Sequence, residues 1–291
     1  MFKIASFGEI LWDQFPDYKK PGGSPANVAY HLHILGNDSY LISKIGDDND
    51  GRELLHFLKE KKLPTEFIGL DSTHPTGIVT VSIDQFNEPT YTIHEPSAWD
   101  FISINDELFK LSKSLNAICY ASLSQRNSTS SDSLKKLLLS LPPDCLKVFD
   151  LNLRPPFIQK DVILEKIGLS DIIKMNEDEY KTVGSWINSS DTADTLLANN
   201  PDKIILLTMG EKGSALFSSQ GHFQHKAYPI SSDGDFVGVG DAFLASFTHQ
   251  LLLKKDHADI LEACNRYAAF VASQKGGMPS VPMNILKMIK E

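Results

Sequence analysis

Asp241 closes the turn Gly238-Val-Gly-Asp241 and opens the apolar, small-residue run Ala242-Phe-Leu-Ala-Ser-Phe247. The two glycines lack a Cβ, so the backbone there can turn sharply and approach a ligand closely. A helix that begins at such a turn leaves its first N–H groups unpaired, and these attract an anion such as a phosphate. A carboxylate at the same spot would repel a stored phosphate. It makes sense where it takes a proton from a hydroxyl that then attacks the phosphorus. The same residues also suit an N-capping Asp after a glycine turn. From Asp233 to Phe247 alone, both readings stay open.

A second glycine turn lies near the other end of the chain, in Pro21-Gly-Gly-Ser-Pro-Ala-Asn27. Val28, Ala29, Leu32 and Leu35 then recur at helical spacing, and Gly36 is a good stop. A helix from Ala26 places Asn27 in its first turn, with an amide free for a polar ligand or for a surface cap. His31 and His33 are two apart on that helix and point in different directions, so they do not form a metal pair; surface or partly buried positions are expected. Asp13 lies upstream in a mixed polar and aromatic setting, Glu9 to Lys20.

These residues need elements to position them. Lys3–Phe7 and Tyr40–Ile45 read as strands, and 50–62 as an amphipathic helix with Leu54, Leu55 and Leu58 inward. Residues 76–84 and 90–94 alternate and are β-branched, with a turn over 85–89. This predicts a hairpin without an adjacent helix, hence a small projecting sheet. Such a sheet could act as a lid and as the contact of a homodimer, which light scattering would detect.

From residue 117 the alternation is regular. Strands are predicted at 117–121, 147–150, 171–175 and 203–207. Helices are predicted at 131–141, at 158–167, from Asn176 and from Ser190, with a short β segment over 214–225. Such repeats give a parallel sheet with helices on both faces, and ligands sit beyond the strands' C-terminal ends. Asp150-Leu-Asn-Leu-Arg154, Lys174-Met-Asn-Glu-Asp-Glu179 and Thr208-Met-Gly-Glu-Lys-Gly213 stand at those ends. No internal repeat, low-complexity tract or long linker interrupts the chain.

Composition narrows the classes. The chain has 291 residues and a formal charge of −9, which disfavours a broad nucleic-acid surface. The three cysteines, Cys119, Cys145 and Cys264, are far apart and odd in number, so reduced thiols are expected. The first residues lack the apolar core of a signal peptide, and charges interrupt every apolar run short of a membrane span. A cytoplasmic protein with no membrane contact is expected.

Taken together, the Gly22–Asn27 turn with its helix resembles the first signature of the ribokinase-like (PfkB) carbohydrate kinases, and Asp235-Phe-Val-Gly-Val-Gly-Asp-Ala-Phe243 resembles the second. The intervening order matches over essentially the whole chain. Gly8-Glu9, Pro25-Ala26-Asn27 and Asp150-Leu-Asn-Leu-Arg154-Pro look most like the fructokinase branch. The resemblance implies an α/β, three-layer αβα fold over residues 1–291, with a mostly parallel sheet and a β lid from about 10–20 and 66–96. It implies ATP-dependent phosphorylation of a primary hydroxyl of a small sugar.

The resemblance also implies residue roles. Asp241 would be the general base, and the Gly238, Val239 and Gly240 amides the anion hole. Asp13, Gly23 and Asn27 would hold sugar hydroxyls, and Arg154 would neutralise phosphate charge or contact the substrate. Asn176 and Glu179 would organise Mg2+ and the phosphates, Glu179 through water. Thr208, Gly210 and Gly213 would line the nucleotide side, and Asn265 would sit near the adenine. Asp235, Gly277 and Ser280 have the place of a monovalent-cation site such as K+, although Phe236 stands where many members carry Thr. Ser24 stands where ribokinases carry Lys, which argues against ribose.

Other readings compete. The substrate could be 2-keto-3-deoxygluconate, another sugar or a nucleoside, or the fold could serve a non-catalytic regulator. A P-loop kinase is disfavoured by the absence of G-x-x-x-x-G-K-[ST]. A Rossmann dehydrogenase is disfavoured because Gly238-Val-Gly240 lacks the third glycine and lies at the wrong end of the chain.

Overall fold

The computed structural model describes residues 1–83, 89–230 and 234–290. In chain order it contains β1 (Lys3–Phe7), β2 (Leu11–Gln14), β3 (Lys19–Gly22), α1 (Ser24–Ile34), β4 (Asp38–Gly46), α2 (Asn49–Glu60), β5 (Ile68–Asp71), β6 (Gly77–Ile83), β7 (Pro89–Ile93) and α3 (Asp106–Ser112). Then follow β8 (Ala117–Ala121), α4 (Ser128–Ser140), β9 (Leu146–Asp150), α5 (Lys160–Leu169), β10 (Ile172–Asn176), α6 (Glu177–Trp186), α7 (Thr192–Asn199) and β11 (Ile204–Thr208). β12 (Ser214–Ser218), β13 (Gly221–His225), α8 (Val239–Leu252), α9 (His257–Ala272) and α10 (Met283–Lys290) complete the order.

The large sheet runs β13-β12-β11-β10-β9-β8-β1-β4-β5. Neighbours from β11 to β5 are parallel, and β12 and β13 form an antiparallel edge hairpin. Side-chain alternation makes the three layers. On β1 and β8, Ile4, Ala117 and Cys119 face Val28 and Leu32 of α1 and Phe243, Leu244 and Phe247 of α8. Their neighbours Ala5, Phe7, Ile118 and Tyr120 face Leu134, Leu137 and Leu138 of α4 and Ile163 and Ile167 of α5. Each fully buried aliphatic or aromatic side chain contributes roughly 1.5–3 kcal/mol. Such continuous apolar runs suit strands covered on both faces.

The small sheet runs β3-β2-β6-β7, with β2 and β6 parallel and the outer pairs antiparallel. The predicted hairpin is present in the pairing of β6 with β7; of the turn predicted over 85–89, residues 85–88 lie outside the described residues, as does Asp233. The range 66–96 is not all in this sheet: β5 pairs in parallel with β4 at the edge of the large one. β5 was not predicted, because its four residues, Ile-Gly-Leu-Asp, lack a run of alternation. α3 and α10 were also missed; both are short. The three cysteines are buried free thiols. His31 departs from expectation: it is fully buried, bonded through its ring nitrogens to Tyr267 Oη (2.8 Å) and Gly277 O (3.0 Å).

Candidate active site

The N-termini of α1 and α8 meet beside the C-terminal ends of β1, β8, β9 and β10. Asp241 Oδ1 accepts from Ser24 Oγ at 2.6 Å, and Oδ2 accepts from Asn27 Nδ2 at 2.8 Å. Residues more than 200 positions apart in sequence thereby share one hydrogen-bonded cluster. α8 begins at Val239 with Gly238 as its N-cap, at φ 74°. Asp241 is therefore not the capping residue; it lies in the first turn, with its oxygens turned to α1. Gly238 is needed twice over, for that left-handed φ and because a Cβ there would lie 2.7 Å from Gly277 Cα.

Burial raises the Asp241 pKa; the Ser24 hydrogen bond opposes this and the Asp150 charge adds to it. A carboxylate offers about four lone-pair sites, so two accepted bonds leave acceptor capacity for a hydroxyl. Lys174 stands close by. Its ammonium donates to both oxygens of Asp150 at 2.9 Å, and a Cβ on Gly240 would lie 3.2 Å from it. Burial would lower the Lys174 pKa, but Asp150 and Glu179 outweigh it and hold the ammonium charged. Lys174 stands in the strand-end segment read from the sequence, with no role predicted for it. Its signal was a lysine inside the apolar strand Ile-Ile-Lys-Met beside a strand ending in Asp.

Glu9 was also missed as a site residue. It is 2% exposed, and Oε2 has no hydrogen-bond partner among the described residues. Burial pushes its pKa up to about 7 against the pull of a backbone hydrogen bond and of the Arg154 charge. Gly23 backs onto it: a Cβ there would lie 2.5 Å from the Glu9 carbonyl oxygen, with φ at 106°. Asp13, on β2, is raised to about 6 by burial, with Arg154 and Lys20 opposing. Arg154 itself is exposed and, among the described residues, donates to the adjacent Leu153 carbonyl at 3.2 Å. Both carboxylates feel its charge.

The other residues fall into two groups. Asn176 caps α6, accepting from the N–H groups of Asp178 and Glu179, while Glu179 Oε2 accepts from Asn176 N at 2.8 Å and Oε1 from Leu153 N at 2.8 Å. This reciprocal cap fixes Glu179 between β9 and β10. Burial and the Asp150 charge raise its pKa. Thr208 follows in register beside Asn176. Gly210 faces open space, whereas Gly213, at φ 98°, would drive a Cβ into His225 O. Asn265 is buried, donating to Ser214 Oγ at 2.6 Å and Leu261 O at 2.7 Å. Among the described residues no three His, Cys, Asp or Glu side chains cluster as a metal site.

Asp235 precedes the glycine turn. It accepts from Val237 N (3.2 Å), Gly276 N (3.0 and 2.9 Å) and Lys20 Nζ (3.0 Å). Ser280 is exposed, and Gly277 packs on the Asn27 amide, where a Cβ would come within 2.5 Å. The Gly276-Gly277 turn thus buttresses both Gly238 and Asn27. A cleft of about 740 Å³ is lined by Lys20, Phe57, Lys61 and the 273–280 segment, and not by Asp241, Ser24 or Asn27.

The fold is of the three-layer α/β type, and sequence comparison specifies the family. The model of the pfkB family of carbohydrate kinases matches residues 8–284, and the chain belongs to that family. It is 29% identical over 300 residues to a Klebsiella pneumoniae fructokinase, covering 96% of each chain. It is 26% identical over 308 residues to a probable fructokinase of Arabidopsis thaliana, covering 97% of this chain and 89% of that one. Among solved structures, a Xylella fastidiosa fructokinase with bound ATP superposes with a TM-score of 0.86 at 19% identity, over 99% of this chain and 97% of that one. A Vibrio cholerae fructokinase in its fructose, ADP and calcium ion bound form gives 0.84 at 22% identity, over 100% and 99%. No helix of the described residues is long and apolar enough to cross a membrane.

Proposed function

We propose that this protein transfers the terminal phosphoryl group of ATP to a primary hydroxyl of a small sugar, with fructose the first candidate, in the cytoplasm. The observation that carries the reading is the buried Asp241, oriented by Ser24 and Asn27 and set in the first turn of α8. Asp241 removes the hydroxyl proton, the freed oxygen attacks the phosphorus, and the bond to the departing ADP oxygen breaks. Phosphoryl transfer asks for positioning and charge stabilisation more than covalent catalysis. The amides of the Gly238–Gly240 turn and the α8 N-terminus face the developing charge. Asp13, Gly23 and Asn27 hold sugar hydroxyls, and the small sheet covers them as a lid. Thr208, Gly210, Gly213 and Asn265 line the nucleotide side. Arg154 serves substrate or phosphate. Magnesium bound with ATP supplies further charge neutralisation. Glu179, both of whose oxygens already accept backbone N–H groups, suits contact with that ion through water.

The relatives named fructokinases support fructose over the deoxygluconate, ribose and nucleoside alternatives. ADP release with fructose, 2-keto-3-deoxygluconate, ribose and adenosine at equal concentration ranks them; no turnover despite nucleotide binding would favour a regulator. Asp241→Asn is expected to lower kcat by ~10²–10⁴-fold while leaving thermal unfolding unchanged. Near-normal turnover by the purified variant would refute the mechanism.

A further inference from the structure

The small sheet and the glycine turn are joined by an ion pair, Lys20 on β3 with Asp235 before α8, across 215 positions. The Lys20 ammonium also stands 5.7 Å from the Phe15 ring centroid and 5.6 Å from that of Tyr18, and those two rings stack at 4.6 Å. The cation is thus flanked by a carboxylate and two aromatic faces, all suited to positive charge. Among the described residues the Asp235 carboxylate also accepts from the N–H groups of Val237 and Gly276, and the Asp235 N–H donates to Gln274 O at 3.1 Å. An alkali-metal ion bound to Asp235 would face the Lys20 charge at Oδ2. With the Lys20 ammonium on Asp235, the residues present therefore do not fit the monovalent-cation site that the family resemblance implied.

We propose that the Lys20 ammonium is a built-in cation, taking the place of a bound monovalent ion at Asp235 and tying the small sheet to the Gly238 turn. Lys20 is then a positioning residue. Its charge steadies Asp235, whose oxygens hold Val237 and Gly276, and so fixes the turn from which Gly238–Gly240 face the phosphate. The activity part of this inference rests on the kinase reading above; the ion part does not.

The test compares KCl, NaCl and tetramethylammonium chloride at equal ionic strength. For the wild-type protein, the unfolding temperature and kcat are expected to be the same in all three. In Lys20→Met the site is opened, so potassium is expected to raise the unfolding temperature above that in tetramethylammonium and to restore most of a kcat that falls ten-fold or more without it. Lys20→Arg, which keeps the charge, should stay indifferent to the ion. A wild-type protein stabilised or activated specifically by potassium overturns the proposal, whatever the variants do. So does a Lys20→Met variant with wild-type unfolding and kcat in all three salts. If no sugar is turned over, the kinase reading fails, and the unfolding temperatures still decide whether Lys20 replaces the ion.

Discussion

Glu9 shows what the site costs at the level of one residue. A buried carboxyl with an unpartnered oxygen is unfavourable when ionised, and its pKa stands near 7 instead of the ordinary 4.5. A folded-state pKa above the unfolded one means that the folded protein holds the extra proton. The associated stability is complete below pH 4.5 and is lost as pH rises through 7. Glu9→Gln cannot ionise and escapes this loss, so by pH 8 it is expected to be more stable than wild type by up to about 3 kcal/mol. At pH 4 the two should be nearly equal. Urea unfolding at both pH values measures the difference; a difference independent of pH would contradict it. Glu9 was legible in the sequence only as part of a Gly-Glu pair. Nothing in its neighbours indicates burial, which arises when Gly23 and its turn fold over the Glu9 backbone. Asp241 was legible as a carboxylate after a glycine turn, yet the choice between capping and acid–base chemistry was not. That choice depends on Ser24 and Asn27, brought in by a helix from the opposite end of the chain.

At the level of elements, the strands of the parallel sheet other than β5 were read to within a residue or two, because runs buried on both faces have few competing readings. The helices between them shifted by a few residues at their ends, where caps rather than periodicity decide. The hairpin β12–β13 registered only as a β segment, and β2 and β3 were not resolved as strands. Pairing between polar segments as short as Lys-Lys-Pro-Gly comes from partner strands, not from local pattern. Side chains that join elements were the least legible. Lys174 on β10 and Asp150 on β9 form a buried ion pair at the strand ends, with side chains 8% and 2% exposed. Removing one member strands the other charge in a place that solvates it poorly. Lys174→Met is expected to destabilise the protein by about 3–5 kcal/mol, and adding Asp150→Leu should recover most of that loss. Urea titrations of the single and double variants check this. A single variant as stable as wild type would mean that Asp150 finds water or another partner.

At the level of the whole molecule, the small sheet carries Asp13, while Asp241, Thr208, Gly210 and Gly213, the last three proposed for the nucleotide, belong to the large body. The sheets are linked through β3, which leads directly into Gly23 and α1. Sugar is therefore expected to be gripped from both bodies and nucleotide chiefly from one. A ligand at a hundred times its Kd stabilises the state that binds it by about 2.7 kcal/mol. For a chain of this size, each kcal/mol raises the unfolding temperature by roughly 2–4 °C. Fructose and ATP should each give a rise of several degrees. Asp13→Asn loses a charged acceptor for the sugar, a difference of ~1.5–3 kcal/mol, or about ten- to a hundred-fold in sugar affinity. The fructose-induced rise should therefore shrink sharply in Asp13→Asn at the same fructose concentration, while the ATP-induced rise stays intact. Calorimetric titration should show the same split. A variant that lost both rises would place Asp13 in the packing between the two sheets rather than at the sugar. One that kept both would remove the small sheet from substrate binding.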